Sequence, residues 1–215
     1  MEIVWYGHSC FRFIERGMAA VVTDPFDSDV LGCEPLKLRA DIVTVSHEAP
    51  GHNFIAGVKS AAHKITGPGE FEIGGVFITG VQMDSSTKKS VGKPRNTIYM
   101  FDFEGLTVVH LGDLSQVPTQ SEVEALGTVN VALVPVGGGN GLNAAKAAEV
   151  ISLLEPNIVI PMHYASFDNK LELDPLSKFL KEMGLVSHDS VPALKISRSG
   201  LPDETKVIVL DVASS

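Results

Sequence analysis

Short apolar runs rich in Val and Ile recur along the whole chain, each bounded by Gly, Pro, Asp or Glu-Gly. Runs this short, with β-branched and aromatic residues at alternate positions, suit strands, whereas helices need longer segments with a 3.6-residue period. The pattern predicts strands at 3–6, 10–14, 20–23, 42–46, 64–66, 71–73 and 76–81. A second series follows at 97–103, 107–110, 131–134, 158–160, 193–196 and 207–210. Glu15-Arg16-Gly17 and Glu104-Gly105 sit where tight hairpins need turn residues, so part of each sheet is expected to be antiparallel.

Three helices are marked by their ends. Thr119 and Glu122 form a capping box before residues 123–126, and Gly127 stops that segment. Residues 144–154 are good helix formers placed between Asn143 and Pro156. Asp174-Pro175 opens a third helix through Met183, closed by Gly184. Strands outnumber helices, and the helices fall between strands, so a sandwich of two sheets flanked by helices is expected.

With 215 residues, 44% of them hydrophobic, the chain fills one large domain, so residues 1–215 are expected to form a single unit. It contains no long uninterrupted apolar run, and Met1-Glu2 lacks the basic start of a signal peptide, which points to a cytoplasmic protein without a membrane partner. Cys10 and Cys33 are too few for a disulfide framework or a paired-cysteine zinc site, and they read as free thiols. A net charge of −9 argues against nucleic acid as a partner. The basic residues Lys88, Lys89, Lys93 and Arg95 sit in a polar segment that reads as a solvated loop.

Three of the seven histidines stand at or just beyond a strand end: His47, His110 and His163. Each one alone is more simply a hydrogen-bonded structural histidine. Together they have a second reading, because adjacent strands deliver their ends to one edge, where several imidazoles can converge on a metal. His52 follows His47 across Glu48-Ala49-Pro50-Gly51, so both rings can face one cavity. Asp113 in Leu111-Gly112-Asp113 is either a plain turn residue or a carboxylate ligand suited to zinc, manganese or iron.

Gly7-His8-Ser9-Cys10-Phe11, Thr23-Asp24-Pro25-Phe26, Ser46-His47 to His52, Gly112-Asp113 and Pro161-Met162-His163-Tyr164 resemble, in order, the motifs of the metallo-β-lactamase superfamily. The resemblance runs from about residue 3 to about residue 167, and is closest to the branch containing ascorbate-6-phosphate lactonase and predicted metal-dependent hydrolases. It implies an α/β fold, an αββα sandwich of two mixed β-sheets flanked by helices, and two metal positions built on His-x-His-x-Asp-His, a further His, an Asp and a final His. His47, His52, Asp113 and His163 match. Ala49 stands for the second His, Gly51 for the Asp, and the next ligand is replaced near Met83-Asp84. By resemblance, one metal position keeps His52, Asp113 and His163, and the other keeps only His47 and Asp113. Three side chains and a water hold a catalytic zinc, so one ion, zinc or manganese, is expected. His110, Glu48 and Asp84 are the sequence neighbours available to fill the gaps. The resemblance also makes Asp24 a hydrogen-bond partner that orients a metal-bound histidine. It leaves His8 as either a hydrogen-bonding pocket residue or a substitute ligand, and with Gly51 in the Asp position, acid–base work falls to Asp113, Glu48 or His8.

Gly137-Gly138-Gly139-Asn140-Gly141 lacks the Lys-Ser/Thr of a phosphate-binding loop and reads as a flexible cavity wall. Glu70 reads as a surface turn residue. No Gly-x-Ser-x-Gly surrounds Ser9, Ser46 or Ser115, which disfavours serine hydrolysis. The expected function is hydrolysis of a small-molecule ester, lactone or phosphoester. The alternative is a metal-poor family member that serves as a ligand-binding or interaction module.

Overall fold

In the computed structural model, which describes residues 1–83, 95–166 and 171–214, the apolar runs build two large sheets that face each other. The first sheet contains Glu2–Trp5 (β1), Phe11–Ile14 (β2), Val21–Thr23 (β3), Ile42–Thr44 (β5), His63–Ile65 (β7) and Leu194–Lys195 (β15), in the order β15-β1-β2-β3-β5-β7. The second contains Gly69–Ile73 (β8), Val76–Met83 (β9), Asn96–Phe103 (β10), Leu106–His110 (β11), Val131–Pro135 (β12), Ile158–Met162 (β13) and Lys206–Val207 (β16), in the order β16-β13-β12-β11-β10-β9-β8.

Alternation sets which residues face inward. Ile3 and Trp5 of β1 and Phe11 and Phe13 of β2 are buried, while Arg12 and Ile14 between and beside them are only half-buried. Phe13 meets Phe101 of β10 edge-on across the interface, with ring centroids 5.1 Å apart, which joins the two sheets in one core. Hairpins form at the expected turns. At Glu104-Gly105 both residues have positive φ (54° and 84°), the backbone twist that a two-residue hairpin requires.

Each sheet has a parallel part, and that part positions the site. β3 runs parallel to β5, and β1 points the same way because it is antiparallel to β2, which is antiparallel to β3. In the other sheet β11, β12 and β13 are mutually parallel. The segments after β1, β3, β5, β11, β12 and β13 therefore leave their sheets at C-terminal strand ends, carrying His8, Asp24, His47, Asp113, the glycine loop and His163.

The outer layers are unequal. Gln120–Leu126 (α2), Ala144–Leu154 (α3) and Leu176–Glu182 (α4) follow the predicted helices, and α3 packs against β12 and α4. Thr119 makes both halves of its capping box, and the Asn143 side chain accepts from the Lys146 N–H. Over the first sheet the helical layer shrinks to a single turn, Ser28–Leu31 (α1), capped by Asp27, beside a two-stranded ribbon of Leu38–Arg39 (β4) and Val58–Lys59 (β6). Leu31, Leu36, Leu38 and Val58 cover Val22, Val43 and Val45 there. These short pieces carry no period long enough to read in sequence. Likewise the apolar run 207–210 does not stay one strand: β16 joins the second sheet, while Val209–Leu210 (β17) pairs with Ser190–Val191 (β14). Among the described residues no helix is long and apolar enough to cross a membrane. Asp84, Lys88, Lys89 and Lys93 lie outside the described residues, and Arg95 is exposed.

Candidate metal centre

The centre is assembled from backbone turns that ordinary residues avoid. Among the described residues, the non-glycine positions with positive φ include His8 (50°), Asp24 (39°) and His163 (52°), all at this edge. Such conformations are costly for residues with a Cβ and persist where surrounding bonds hold them. The His8 carbonyl accepts from the His163 N–H (3.0 Å) and the Trp5 indole N–H (3.1 Å), which locks two of these turns together.

Asp24 is fully buried and acts as the hub. Its carboxylate accepts from the Ser46 N–H (2.7 Å), the Ser46 hydroxyl (2.5 Å) and His52 Nδ1 (2.9 Å). Burial opposes its charge, but the nearby His110 and the bonds from His52 and Ser46 outweigh that and hold its pKa below the ordinary carboxylate value. Two tautomers follow. His52 carries its proton on Nδ1, leaving Nε2 unprotonated. Ser46 spends its only hydroxyl proton on Asp24, so its oxygen accepts from His47 Nδ1 (3.0 Å), and His47 Nε2 is also unprotonated.

Both free nitrogens face one point. His8 Nε2 lies 3.1 Å from His52 Nε2. Asp113 Oδ1 lies 3.7 Å from His52 Nε2 and 2.9 Å from His163 Nε2, and Asp113 Oδ2 lies 3.6 Å from His47 Nε2. An ion bound tetrahedrally at about 2.0–2.2 Å keeps its ligand atoms about 3.3–3.6 Å apart, so the observed spacings bracket what zinc needs. Buried Asp113 Oδ1 has no hydrogen-bond partner despite its closeness to His163 Nε2: the two atoms meet without the alignment of a hydrogen bond. An acceptor left this way in a buried site suits a cation. The residues therefore fit a divalent ion. Burial also works against the Asp113 charge, but His52, His163 and His47 outweigh it and keep the carboxyl ionised far below its usual range. For His8 and His47, burial is the leading cause and lowers the pKa, favouring neutral rings. For His52, burial is opposed and overcome by Asp113 and Asp24, which raise it.

His8, His47, His52, Asp113 and His163 are thus brought together, with Asp24 behind them. His110 is not in this group. Its Nε2 donates to the Ser9 carbonyl (2.9 Å) and its Nδ1 accepts from the Gly112 N–H (3.2 Å), so both nitrogens are committed to the backbone. Glu48 is exposed and accepts from Asn53, and Glu70 is exposed on β8. Met83, near the missing ligand, is a buried strand end.

Sequence reasoning missed Asn96. Its Oδ1 accepts from the Asp113 N–H (2.8 Å) and its Nδ2 donates to the Leu111 carbonyl (2.9 Å), so it fixes the loop that presents the carboxylate. A polar residue beginning an apolar strand was the available signal. Gly112 is more than a turn residue. Its φ is +57°, and a Cβ there would lie 2.3 Å from Asn96 Oδ1 and 2.6 Å from Ser46 Cβ. The glycine loop does wall the site, since a Cβ on Gly141 would stand 3.7 Å from Asp113 Oδ1. Its Gly137, Gly138 and Gly141 N–H groups all donate to backbone carbonyls and are not available to an anion.

Two facing mixed sheets that deliver histidines and a carboxylate to their parallel strand ends define the metallo-β-lactamase class of folds. Residues 2–163 match the β-lactamase superfamily domain, and the chain belongs to that family. It is 30% identical over 208 residues to a UPF0173 protein of Pyrococcus furiosus, covering 85% of this chain and 90% of the relative. A UPF0173 metal-dependent hydrolase of Thermoplasma acidophilum is 27% identical over 195 residues, covering 78% and 85%. The crystal structure of a protein from Thermotoga maritima, described as a Zn-dependent hydrolase of the metallo-β-lactamase superfamily, superimposes with a TM-score of 0.79 at 37% identity, covering 97% of each chain.

Proposed function

We propose that this chain is a metal-dependent hydrolase of a small ester, lactone or phosphoester, holding one zinc or manganese ion through His52, Asp113 and His163. The observation that carries the reading is the chain of four close contacts, His8–His52, His52–Asp113, His163–Asp113 and His47–Asp113, at 2.9–3.7 Å, with Asp113 Oδ1 lacking an aligned hydrogen bond. The names of the Thermoplasma acidophilum and Thermotoga maritima proteins support the same class.

A bound divalent ion supplies Lewis acidity, lowering the pKa of a water and polarising the scissile group. The chain's own residues supply placement and proton handling. Asp24 fixes His52 directly and His47 through Ser46, so the faces they turn to the site are lone pairs. His47 Nε2, beside Asp113 Oδ2, is positioned to take a proton from the attacking water: burial lowers its pKa, which weakens it as a base but keeps the ring neutral and its lone pair free. Asn96 and Gly112 keep Asp113 from moving away. A second ion is not supported, since Ala49 offers no donor and His47 with Asp113 is too small a set.

The test is turnover of small ester, lactone and phosphomonoester or phosphodiester probes before and after chelation. The proposal predicts hydrolysis of at least one class, lost on chelation and restored by zinc or manganese. Full ion loading with no turnover of any class would overturn it in favour of a binding module.

A further inference from the structure

The Asp expected at position 51 by resemblance is a glycine, and the space its side chain would enter is not empty. A Cβ built on Gly51 would lie 3.0 Å from His8 Nε2 and 3.4 Å from His8 Cδ2. The φ of Gly51 lies outside the left-handed region, so nothing in its backbone demands glycine; what crowds a side chain there is the His8 ring, which would have to give by a few tenths of an ångström. That ring enters from a different strand, the turn after β1, in a strained conformation held by His163 and Trp5.

His8 Nε2 also lies 3.1 Å from His52 Nε2, and the His8 ring packs at a tilt of 37° against His163 with centroids 4.2 Å apart. His8, His52 and His163 each place one ring nitrogen within 4.8 Å of the others, and all three are buried. His8 Nδ1 has no partner, so the ring is not held there by a hydrogen bond on its other side.

We infer that His8 is the fourth protein ligand of the ion, occupying the coordination position that a carboxylate at residue 51 would otherwise fill and leaving a fifth position for the water. The exchange of a carboxylate for an imidazole also changes the charge of the site: with one Asp and three neutral imidazoles, the ligands of a divalent ion sum to −1. This inference rests on the metal-site reading above, and its test separates the two.

Zinc and cobalt(II) affinities are measured by equilibrium dialysis on the chelator-stripped protein, with circular dichroism to follow folding. His8→Asn is the first variant, because Asn tolerates positive φ while removing the imidazole. The second combines His8→Asn with Gly51→Asp, which frees the space and returns a carboxylate to it. The expected result is a loss of affinity greater than about 100-fold in the single variant, beyond what an orienting neighbour costs, with at least about tenfold regained in the double variant. The cobalt(II) absorption spectrum of the double variant should differ from that of the unaltered protein, since a carboxylate replaces a nitrogen donor. Unchanged affinity in folded His8→Asn, or no recovery in a folded double variant, would overturn the inference and leave the metal site standing. Failure of the unaltered protein to bind either ion would overturn the metal-site reading itself. If the single variant is unfolded, recovery of both folding and binding in the double variant supports the exchange, and recovery of folding without binding overturns it.

Discussion

Asp24 has two oxygens and three donors, and that arrangement decides which nitrogens of His52 and His47 stay free. Asp24→Asn keeps the size but presents an amide N–H₂ to groups that are themselves donors. Metal affinity should fall about 10–100-fold, as for other partners that orient a ligand; a chelator competition titration checks this, and unchanged affinity would refute the tautomer assignment. Gly112→Ala meets both an unfavourable φ and a Cβ 2.3 Å from Asn96 Oδ1, so a loss of roughly 1–3 kcal/mol of stability is expected in denaturant unfolding. Much at this scale was legible: His47, His52, Asp113 and His163 stand in ordered motifs, and their spacing in the chain suggested one edge. Asn96 was not, and His8 was placed in the pocket with its role left open between hydrogen bond and ligand, because both depend on contacts between strands far apart in sequence. His110 shows the converse, a strand-end histidine whose bonds to Ser9 and Gly112 only coordinates reveal.

At the scale of elements, the hydrophobic period did most of the work where segments were long. α3 and the β10–β11 hairpin fall where caps and turn residues put them. Thr119→Ala removes one acceptor from the first turn of α2 and should cost about 1 kcal/mol in thermal or denaturant unfolding without changing metal content, because α2 does not reach the site. Strand ends near the site were harder. The apolar run 42–46 stops pairing at Thr44, as the Ser46 N–H goes to Asp24 instead of a neighbouring strand. β4, β6 and α1 are too short for a period, and tertiary covering of Val22, Val43 and Val45 is what makes them.

For the whole molecule, the two sheets act as one frame whose parallel edges hold five potential donors at fixed spacing. Metal binding then competes with protons. His52 has its pKa raised, with Asp113 and Asp24 overcoming the burial penalty, while burial keeps His8 and His47 neutral to lower pH. Affinity should therefore be full where His52 is deprotonated and fall as pH drops through its raised pKa, a decline that begins above the ordinary histidine value of about 6.5. Zinc affinity that stays flat from about pH 8 to about pH 5.5 would contradict this coupling. The most direct test of the central claim is elemental analysis of protein purified without chelator, then supplied with zinc or manganese, beside its His163→Ala variant. The predicted result is about one divalent ion per chain in the unaltered protein and a loss of it in a folded variant. No bound ion in the unaltered protein, or full content in the variant, would contradict the account.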